Sequence, residues 1–334
     1  MSAVARKPVM YGDAERWLLL HADSLDLLPQ LPASSIDAVV TDPPYGIAFG
    51  HEAWDGGALT DAANFQEWTG TWAFEVLRAM KPGAWLAAFG MPRTFHRLVA
   101  GVEDAGFDIR DQILWLYAQG VPKSRTRHTG LGTCLKPAYE PVLLARKPLD
   151  GSFDENLVTH GTGALQIDQA RVPRPNEERA YWPANVALSH HPWCRAGACD
   201  PACPVVLADR NSRPGAGVSR LFYTPKASRA EREAGCDQLP VREVPIYSGC
   251  APRLVRNVHP TVKPIELMRW LTRLVCPPDG TVLDPFTGSG STGAACVLED
   301  RGFVGIERDK RYVPIARSRI AYWARQSTAR ELDG

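Results

Sequence analysis

Asp284-Pro285-Phe286-Thr287-Gly288-Ser289-Gly290-Ser291-Thr292 is the stretch of this 334-residue sequence that decides the fold. It follows a short apolar run, 280–284, that is typical of a buried strand, and it precedes a predicted helix at about 291–299. Glycines at such a strand-to-helix turn allow a tight bend and let the backbone approach a ligand closely. The next predicted strand, 302–306, ends in Glu307, and an acid at that position of an open α/β sheet accepts hydrogen bonds from a ribose. The pattern predicts a site for an adenosine-containing cofactor; the alternative is a tight turn without a ligand.

Predicted strands and helices alternate on both sides of this stretch. The strands are 17–21, 36–40, 84–89 and 111–117, and the helices are 64–80, 94–105, 264–275 and about 311–325. This alternation is typical of a mostly parallel sheet with helices on both faces. We therefore predict an α/β fold of the doubly wound type.

The alternation stops after residue 147. Residues 148–258 are rich in Pro, Gly, Arg and Asn and show no sustained period, so they are predicted to form an irregular inserted module. The predicted divisions are 1–147, 148–258 and 259–334.

A second motif, Thr41-Asp42-Pro43-Pro44-Tyr45-Gly46, ends a predicted buried strand. A base amine is a poor nucleophile because its lone pair is delocalised into the ring. Asp42 can accept one of its N–H groups and the Pro43 carbonyl, held rigidly by the two prolines, can accept the other, while Tyr45 can stack on a base flipped out of a duplex. The alternative is a proline-rich strand exit with a surface aromatic residue.

These two motifs, in this order, resemble those of the β-group of amino-group DNA methyltransferases, in which DPPY is catalytic and FxGxG binds the cofactor. The segment from His21 to Gly46 and the sequence HPTVKP at 259–264 are also similar to that family. The resemblance covers roughly 17–147 and 259–325. It implies a seven-stranded methyltransferase sheet, S-adenosylmethionine as cofactor, double-stranded DNA as partner, and a recognition domain in the insert. The first division would then be the catalytic half and the third the cofactor-binding half.

The resemblance also assigns site residues. Asp23 should lie near the adenine or ribose of the cofactor, Thr261 and Lys263 near its methionine carboxylate, and Glu307 on the ribose hydroxyls. Simpler alternatives are a helix-cap role for Asp23 and a surface position for Lys263. Ser291 departs from the threonine that is frequent in the family. The full predicted sets are Asp42, Pro43, Pro44 and Tyr45 for catalysis, and Asp23, Thr261, Lys263, Asp284, Phe286, Gly288, Gly290 and Glu307 for the cofactor.

The choice of base depends on Asp42. Within the family, Asp at the first motif position favours adenine and Ser favours the cytosine amine. Methylation of the cytosine ring carbon uses a Pro-Cys dipeptide, which this sequence lacks. We predict an adenine-specific DNA methyltransferase that acts on a specific duplex sequence by base flipping and direct in-line transfer. The alternatives are a cytosine-amine enzyme, an RNA substrate and a non-catalytic DNA-binding relative.

Charge is distributed unevenly along the chain. Residues 1–120 contain 8 Lys and Arg against 15 Asp and Glu, whereas residues 121–275 contain 22 against 14. The basic middle region is a candidate surface for a polyanion; the alternative is ordinary solvated charge. The candidate DNA contacts are the basic loop 123–128 and Arg171, Arg174, Arg179, Arg213 and Arg220.

Three cysteines and two histidines fall within fourteen residues of the insert, 190–203. Zinc prefers four Cys or His ligands, and a loop-rich module gains stability from a metal. Cys194, Cys199, Cys203 and one of the two histidines, His191, are the predicted ligands of a structural zinc ion. The alternative is a small core of reduced cysteines.

The sequence has no apolar run of 18 residues and no apolar core near its start. These features predict a cytoplasmic protein that does not associate with a membrane. The sequence is compatible with a homodimer and with a separate restriction endonuclease as a partner.

Overall fold

The computed structural model describes residues 9–12, 16–49, 52–117, 130–172, 180–189, 194, 199–201, 203, 205–206, 210, 222–224, 226–244 and 252–332. The strands of the main sheet are β1 (Val9–Tyr11), β2 (Trp17–His21), β3 (Ile36–Thr41), β4 (Met80–Phe89), β5 (Asp108–Leu116), β6 (Tyr139–Arg146), β7 (Val186–Leu188), β8 (Phe222–Tyr223), β11 (Thr281–Asp284) and β12 (Gly302–Glu307). β9 (Arg242–Val244) and β10 (Arg253–Val255) form a separate antiparallel pair.

The helices follow the predicted alternation. They are α1 (Ser24–Leu27), α2 (Ala62–Ala79), α3 (Phe95–Asp104), α4 (Phe153–His160), α5 (Arg229–Glu233), α6 (Ile265–Val275), α7 (Ser291–Leu298) and α8 (Val313–Leu332). Short 3-10 turns lie at Leu28–Gln30, Ala53–Asp55, Gly57–Thr60 and Asp168–Ala170. No helix within the described residues is both long and apolar enough to cross a membrane.

The main sheet has the order β1-β2-β12-β11-β3-β4-β6-β5-β7-β8. Neighbours from β2 to β4 are parallel, and β6 is antiparallel to both β4 and β5. The seven strands from β2 to β5 form the predicted sheet, but β1 at one edge and β7 and β8 at the other bring the described sheet to ten. The three additional edge strands have two or three residues each, too few to show a readable period in the sequence.

Helices cover both faces of the sheet, which confirms the doubly wound α/β fold. On one face, α2 and α3 bury Phe65, Trp72 and Leu98 against the sheet. On the other, α6, α7 and α8 bury their apolar sides, including Trp270 and Ile320. Each face of the central strands is apolar for this reason, as expected of a sheet buried on both sides.

The middle of the chain is less separate from the sheet than its composition indicates. Strand β7 pairs in parallel with β5, and β8 pairs in parallel with β7. The indole N–H of Trp270, on α6, also donates to the Ala170 carbonyl at 3.0 Å. Part of the 148–258 segment therefore extends the main sheet and packs on its helices.

The two sequence motifs lie side by side because their strands are neighbours. The TDPPYG stretch ends β3 and the PFTGSG stretch follows β11, and these strands are parallel with Leu283 opposite Val39. Glu307 ends β12, the next strand beyond β11. The carboxyl ends of parallel strands form one edge of the sheet, where α/β folds place ligands.

Candidate active site

A cleft of about 1100 Å³ opens at this edge of the sheet. It brings together eleven of the twelve predicted catalytic and cofactor-binding residues. They are Asp23, Asp42, Pro43, Pro44, Tyr45, Thr261, Lys263, Asp284, Phe286, Gly288 and Glu307. Gly290 is the exception, since it does not line the cleft.

The two glycines of the PFTGSG loop have different surroundings. A Cβ at Gly290 would lie 2.9 Å from the Cα of Ala316, so this glycine permits α7 to pack closely on α8. A Cβ at Gly288 would lie 2.7 Å from Nε2 of His259. Both have positive φ, 78° and 53°, which glycine adopts without strain. Gly290 therefore fits a packing role, and Gly288 lets the loop approach the HPTVKP segment.

His259, the first residue of that segment, is a neutral packing group. Its ring lies 4.5 Å from the Tyr312 ring and is parallel to Trp54 at 6.5 Å. Burial, reinforced by nearby cations, lowers the pKa of His259 to about 3. The imidazole is thus uncharged at neutral pH and forms part of the wall beside the glycine loop.

Two carboxylates mark the end of the cleft beside β12, called here the cofactor end. Glu307 accepts hydrogen bonds from the backbone N–H groups of Gly288 at 2.7 Å and Asp309 at 2.6 Å, and burial raises its pKa to about 7. Asp23 accepts from the Leu25 N–H at 3.0 Å as the N-cap of α1, and it pairs with Arg308 at 3.0 Å. The alternative role of Asp23 as a helix cap is therefore present, although the residue also lines the cleft.

Asp284 joins the two motifs. Its carboxylate accepts hydrogen bonds from the Thr41 hydroxyl at 2.7 Å and the Thr292 hydroxyl at 2.6 Å, and burial raises its pKa to about 6. Thr41 directly precedes Asp42, so this contact fixes the end of β3 relative to the glycine loop. Phe286 continues the loop and packs its ring 5.4 Å from Trp68.

Asp42 lies at the other end of the cleft, beside β3, which is called here the target end. It belongs to a network of polar side chains. The Tyr45 hydroxyl donates to its Oδ1 at 2.6 Å, and the Lys263 ammonium donates to its Oδ2 at 2.5 Å. Nζ of Lys263 also lies 3.3 Å from Oε2 of Glu140. Burial raises the pKa of Asp42, while Lys263 opposes that shift. The two carboxylates raise the pKa of Lys263, although burial lowers it.

The position of Lys263 contradicts the surface alternative, and a contact with the methionine carboxylate stays a prediction. Lys263 is buried, not at the surface, and its ammonium contacts the catalytic motif. Its backbone carbonyl accepts a hydrogen bond from the Ser291 hydroxyl, just after the glycine loop, at 3.0 Å. The sequence could not reveal this contact, because 221 residues separate Lys263 from Asp42.

Asp55 orders the loop after the catalytic motif, and the sequence analysis missed it. Its fully buried carboxylate accepts four backbone N–H groups, those of Tyr45 (2.6 Å), Gly46 (2.7 Å), Ile47 (3.2 Å) and Phe49 (2.8 Å). The only sequence signal was an acid in a loop shortly after DPPYG, which is too common to single out.

An aromatic wall extends the target end beyond Tyr45. The rings of Trp115 and Tyr117 lie 5.2 Å apart, and Nζ of Lys226 lies 3.3 Å from the centre of the Tyr117 ring. The Tyr117 hydroxyl donates to Glu140 at 3.2 Å. Trp115 lies in β5 and Tyr117 directly follows its last residue, so the two side chains, two positions apart, lie on the same side of the chain, a signal that the strand pattern contained.

The predicted insert contacts are only partly described. Arg171 pairs with Asp168 at 2.8 Å and its guanidinium lies 5.4 Å from the Trp182 ring centre, so its contacts are local. The basic loop 123–128, Arg174, Arg179, Arg213, Arg220 and His191 lie outside the described residues. Cys194, Cys199 and Cys203 come together, but they do not line the cleft.

Known proteins match nearly the whole chain. The Type II methyltransferase M.ScaI of Streptomyces caespitosus is 25% identical over 321 residues, which cover 93% of this chain and 83% of the relative. The Type II methyltransferase M.HindIII of Haemophilus influenzae is 24% identical over 354 residues, covering 90% and 94%. Among solved structures, the PvuII DNA methyltransferase, which is cytosine-N4-specific, superimposes with a TM-score of 0.55 at 18% identity, covering 94% of this chain and 89% of that one. The similarity to the PvuII enzyme structure shows the fold of this chain.

The family is shown by a model for DNA methylases, N6_N4_Mtase, which matches residues 36–318. That range includes both motifs, all of the target end and the carboxylate of Glu307. It follows that this chain is a DNA methyltransferase and belongs to the N6/N4 DNA methylase family.

Proposed function

We propose that this enzyme transfers a methyl group from S-adenosylmethionine to the exocyclic amine of adenine in a specific sequence of double-stranded DNA, with the target base flipped out of the helix. The observation that carries the proposal is the position of Asp42. Its carboxylate lies in the same cleft as the glycine loop and Glu307, beside an aromatic wall. A base held there would have its amine next to a hydrogen-bond acceptor and would face the cofactor end.

The cofactor end fits a nucleoside in its chemistry. Glu307 and Asp23 offer acceptors for ribose hydroxyls, the Phe286 ring offers an apolar surface for adenine, and Gly288 leaves the loop backbone accessible. When bound, the cofactor supplies an electrophilic methyl group. The protein residues here bind and orient, and they contribute no covalent step.

The target end fits a planar base with an amine. Tyr45, Trp115 and Tyr117 offer ring surfaces for stacking, as enzymes that flip bases require. Asp42 and the Pro43 carbonyl accept the two amine N–H groups, which localises the nitrogen lone pair and aims it at the methyl group. Alignment and fixed charge then supply most of the rate acceleration. Lys263 favours the ionised form of Asp42 by opposing the pKa rise that burial causes.

The proposed base is tested by identifying the modified nucleoside. Unmethylated bacterial genomic DNA is incubated with the purified full-length protein and labelled S-adenosylmethionine, then digested to nucleosides and separated by chromatography with mass detection. We expect N6-methyladenine and no N4-methylcytosine. Detection of N4-methylcytosine alone would show that the target is the cytosine amine and not the adenine amine. Absence of any methylated nucleoside, with cofactor and DNA binding intact, would favour a non-catalytic relative. In a parallel reaction with RNA, labelling of RNA but not of DNA would identify RNA as the substrate.

The partners beyond DNA stay predictions of the sequence. Long-read sequencing of the product from the same reaction reports the recognised sequence. A palindromic recognition site would be compatible with a homodimer, and a separate endonuclease that cleaves the same sequence would place the enzyme in a restriction-modification pair.

A further inference from the structure

Three cysteines that are distributed over ten residues of sequence converge in space. The Sγ atoms of Cys194, Cys199 and Cys203 all lie within 4.8 Å of one another. In the described part of the chain, this is the group of three His, Cys, Asp or Glu side chains with the geometry to hold a metal ion. We propose that these three thiols, as thiolates, bind one structural zinc ion.

The local backbone supports a shared ligand. The Cys203 N–H donates to the carbonyl of Asp200, the residue after Cys199, at 2.9 Å, and this hydrogen bond fixes Cys203 close to Cys199. The Asp200 N–H donates to Sγ of Cys194 at 3.3 Å, the kind of hydrogen bond that orients and stabilises a metal-bound sulfur. Sulfurs around one tetrahedral zinc ion at about 2.3 Å lie about 3.8 Å apart. The thiols therefore need to move by about 1 Å or less to coordinate the ion.

Three cysteine sulfurs as ligands favour zinc over the other metal groups that are common in proteins. Calcium and magnesium take oxygen ligands, and iron–sulfur clusters are usually held by four cysteines. A disulfide would use two of the three sulfurs and would not explain why the third lies beside them. Three thiolates leave one position of a zinc tetrahedron for a further ligand, and the residue that the sequence predicts for it, His191, lies outside the described residues.

The cysteines lie in the connection between β7 and β8, and this position gives the zinc ion a role. The N–H of Thr224, after β8, donates to the Leu188 carbonyl of β7 at 2.8 Å. Two residues further on, Lys226 enters the target end and lies over the Tyr117 ring. A metal that holds the connection together would keep β8 on the sheet edge and Lys226 in the cleft. The cofactor end is built on β11 and β12, far along the sheet order from β8.

The test is the metal content of the full-length protein purified from zinc-supplemented medium without chelator. We expect one zinc per chain by elemental mass spectrometry, and its loss in each of Cys194→Ser, Cys199→Ser and Cys203→Ser. The matched control is Cys134→Ser, which changes an exposed cysteine outside the cluster and should retain the metal. Wild-type protein without stoichiometric zinc, or zinc retained in all three cluster variants, would overturn the site.

Cobalt replacement keeps the test valid where a serine variant fails to fold. Wild-type protein loaded with Co²⁺ should show the sulfur-to-cobalt charge-transfer absorption and the intense visible bands of a tetrahedral site with several thiolates. A spectrum without these bands would contradict the proposal. Metal content and the cobalt spectrum do not depend on methyl transfer. The zinc proposal can therefore fail while the proposed function holds, and the proposed function can fail while the zinc proposal holds.

Chelation tests the role of the site. Removing zinc with a strong chelator should weaken DNA binding several-fold and leave the affinity for S-adenosylmethionine unchanged. Re-addition of Zn²⁺ should restore DNA binding. Equal DNA affinity of the zinc-free and zinc-loaded proteins would refute the idea that zinc positions Lys226. An equal loss of affinity for DNA and for S-adenosylmethionine would refute the idea that zinc acts on the target end alone.

Discussion

The two ends of the cleft are constructed differently. At the cofactor end, the groups that line the cleft come from the ends of neighbouring parallel strands, and their hydrogen bonds join residues close together in that sheet, as Glu307 does with Gly288. At the target end, Asp42 is held by Lys263, Tyr45 and a loop fixed by Asp55, and Glu140 comes from an antiparallel strand. Strand ends supply the acidic groups and the glycine loop of the first end, whereas side chains remote in sequence arrange the second.

Because of this difference, substitutions at the two ends of the cleft should impair the enzyme in different ways. Changes at the cofactor end should alter the affinity for S-adenosylmethionine, and changes at the target end should alter turnover while leaving that affinity intact. Five substitutions or conditions test the separation, each with both quantities measured.

Replacing Asp42 should have the largest effect. Asp42→Ala removes the acceptor for the target amine and leaves the buried Lys263 paired with the carboxylate of Glu140, so we expect kcat to fall by roughly 10³-fold. Cofactor affinity, measured by calorimetry, should change little. The control Asp154→Ala alters an exposed aspartate on α4, outside the cleft, and should match the wild type. Turnover close to wild type in Asp42→Ala would remove Asp42 from the mechanism.

Asp55→Asn should have the next largest effect. An amide has one acceptor oxygen, so it cannot hold all four N–H groups of the loop after Tyr45. We expect kcat to fall by roughly 30- to 100-fold through misplacement of Tyr45 and Asp42.

A matched control for Asp55 exists in the chain. Asp61 also accepts two backbone N–H groups, but it does so as the N-cap of α2, where Asn functions equally well. Asp61→Asn should therefore be neutral. Loss of cofactor affinity in Asp55→Asn, with turnover preserved, would show that the loop serves the other end of the cleft.

How much the sequence predicted follows the same division. The strands, their helices and the cofactor end were predictable because strand ends carry local motifs, and eleven of the twelve residues predicted for the two ends line one cleft. Asp55, Glu140 and Lys226 were not, because side chains that orient a motif need no fixed spacing from it. Gly290 shows the converse, since a motif position can be required for helix packing instead of ligand contact.

Lys263→Met separates the two possible roles of this lysine. The ammonium lowers the pKa of Asp42 against burial, so its removal should raise that pKa further. The carboxylate is the active form, and activity disappears as pH falls through its pKa. The acid limb of the kcat profile should therefore move to higher pH, with a loss of about 10- to 30-fold at neutral pH and recovery in alkali. An unchanged profile with weakened cofactor binding would instead assign Lys263 to the methionine carboxylate.

Glu307 predicts a pH dependence at the cofactor end. Its pKa is raised to about 7 by burial, so the carboxylate proposed to accept ribose hydroxyls is mostly protonated at pH 6 and mostly ionised at pH 8. Affinity should fall by about tenfold from pH 8 to pH 6, as expected for one group with that pKa. Calorimetry with S-adenosylhomocysteine at each pH measures it, and Glu307→Gln should bind weakly with little pH dependence. A wild-type dependence that persists in Glu307→Gln would come from another group.

Asp23→Asn should have the smallest effect and decides between cap and ligand. Asparagine caps a helix as well as aspartate, so α1 and the melting temperature should be preserved. The variant loses the charge that pairs with Arg308 and weakens the acceptor for a ribose or adenine group. Because the carboxylate is partly exposed, the cofactor affinity should fall only about threefold, the equivalent of one modest hydrogen bond. An unchanged affinity would leave Asp23 with its cap role alone, and the cofactor end would then depend on Glu307 as its acidic contact.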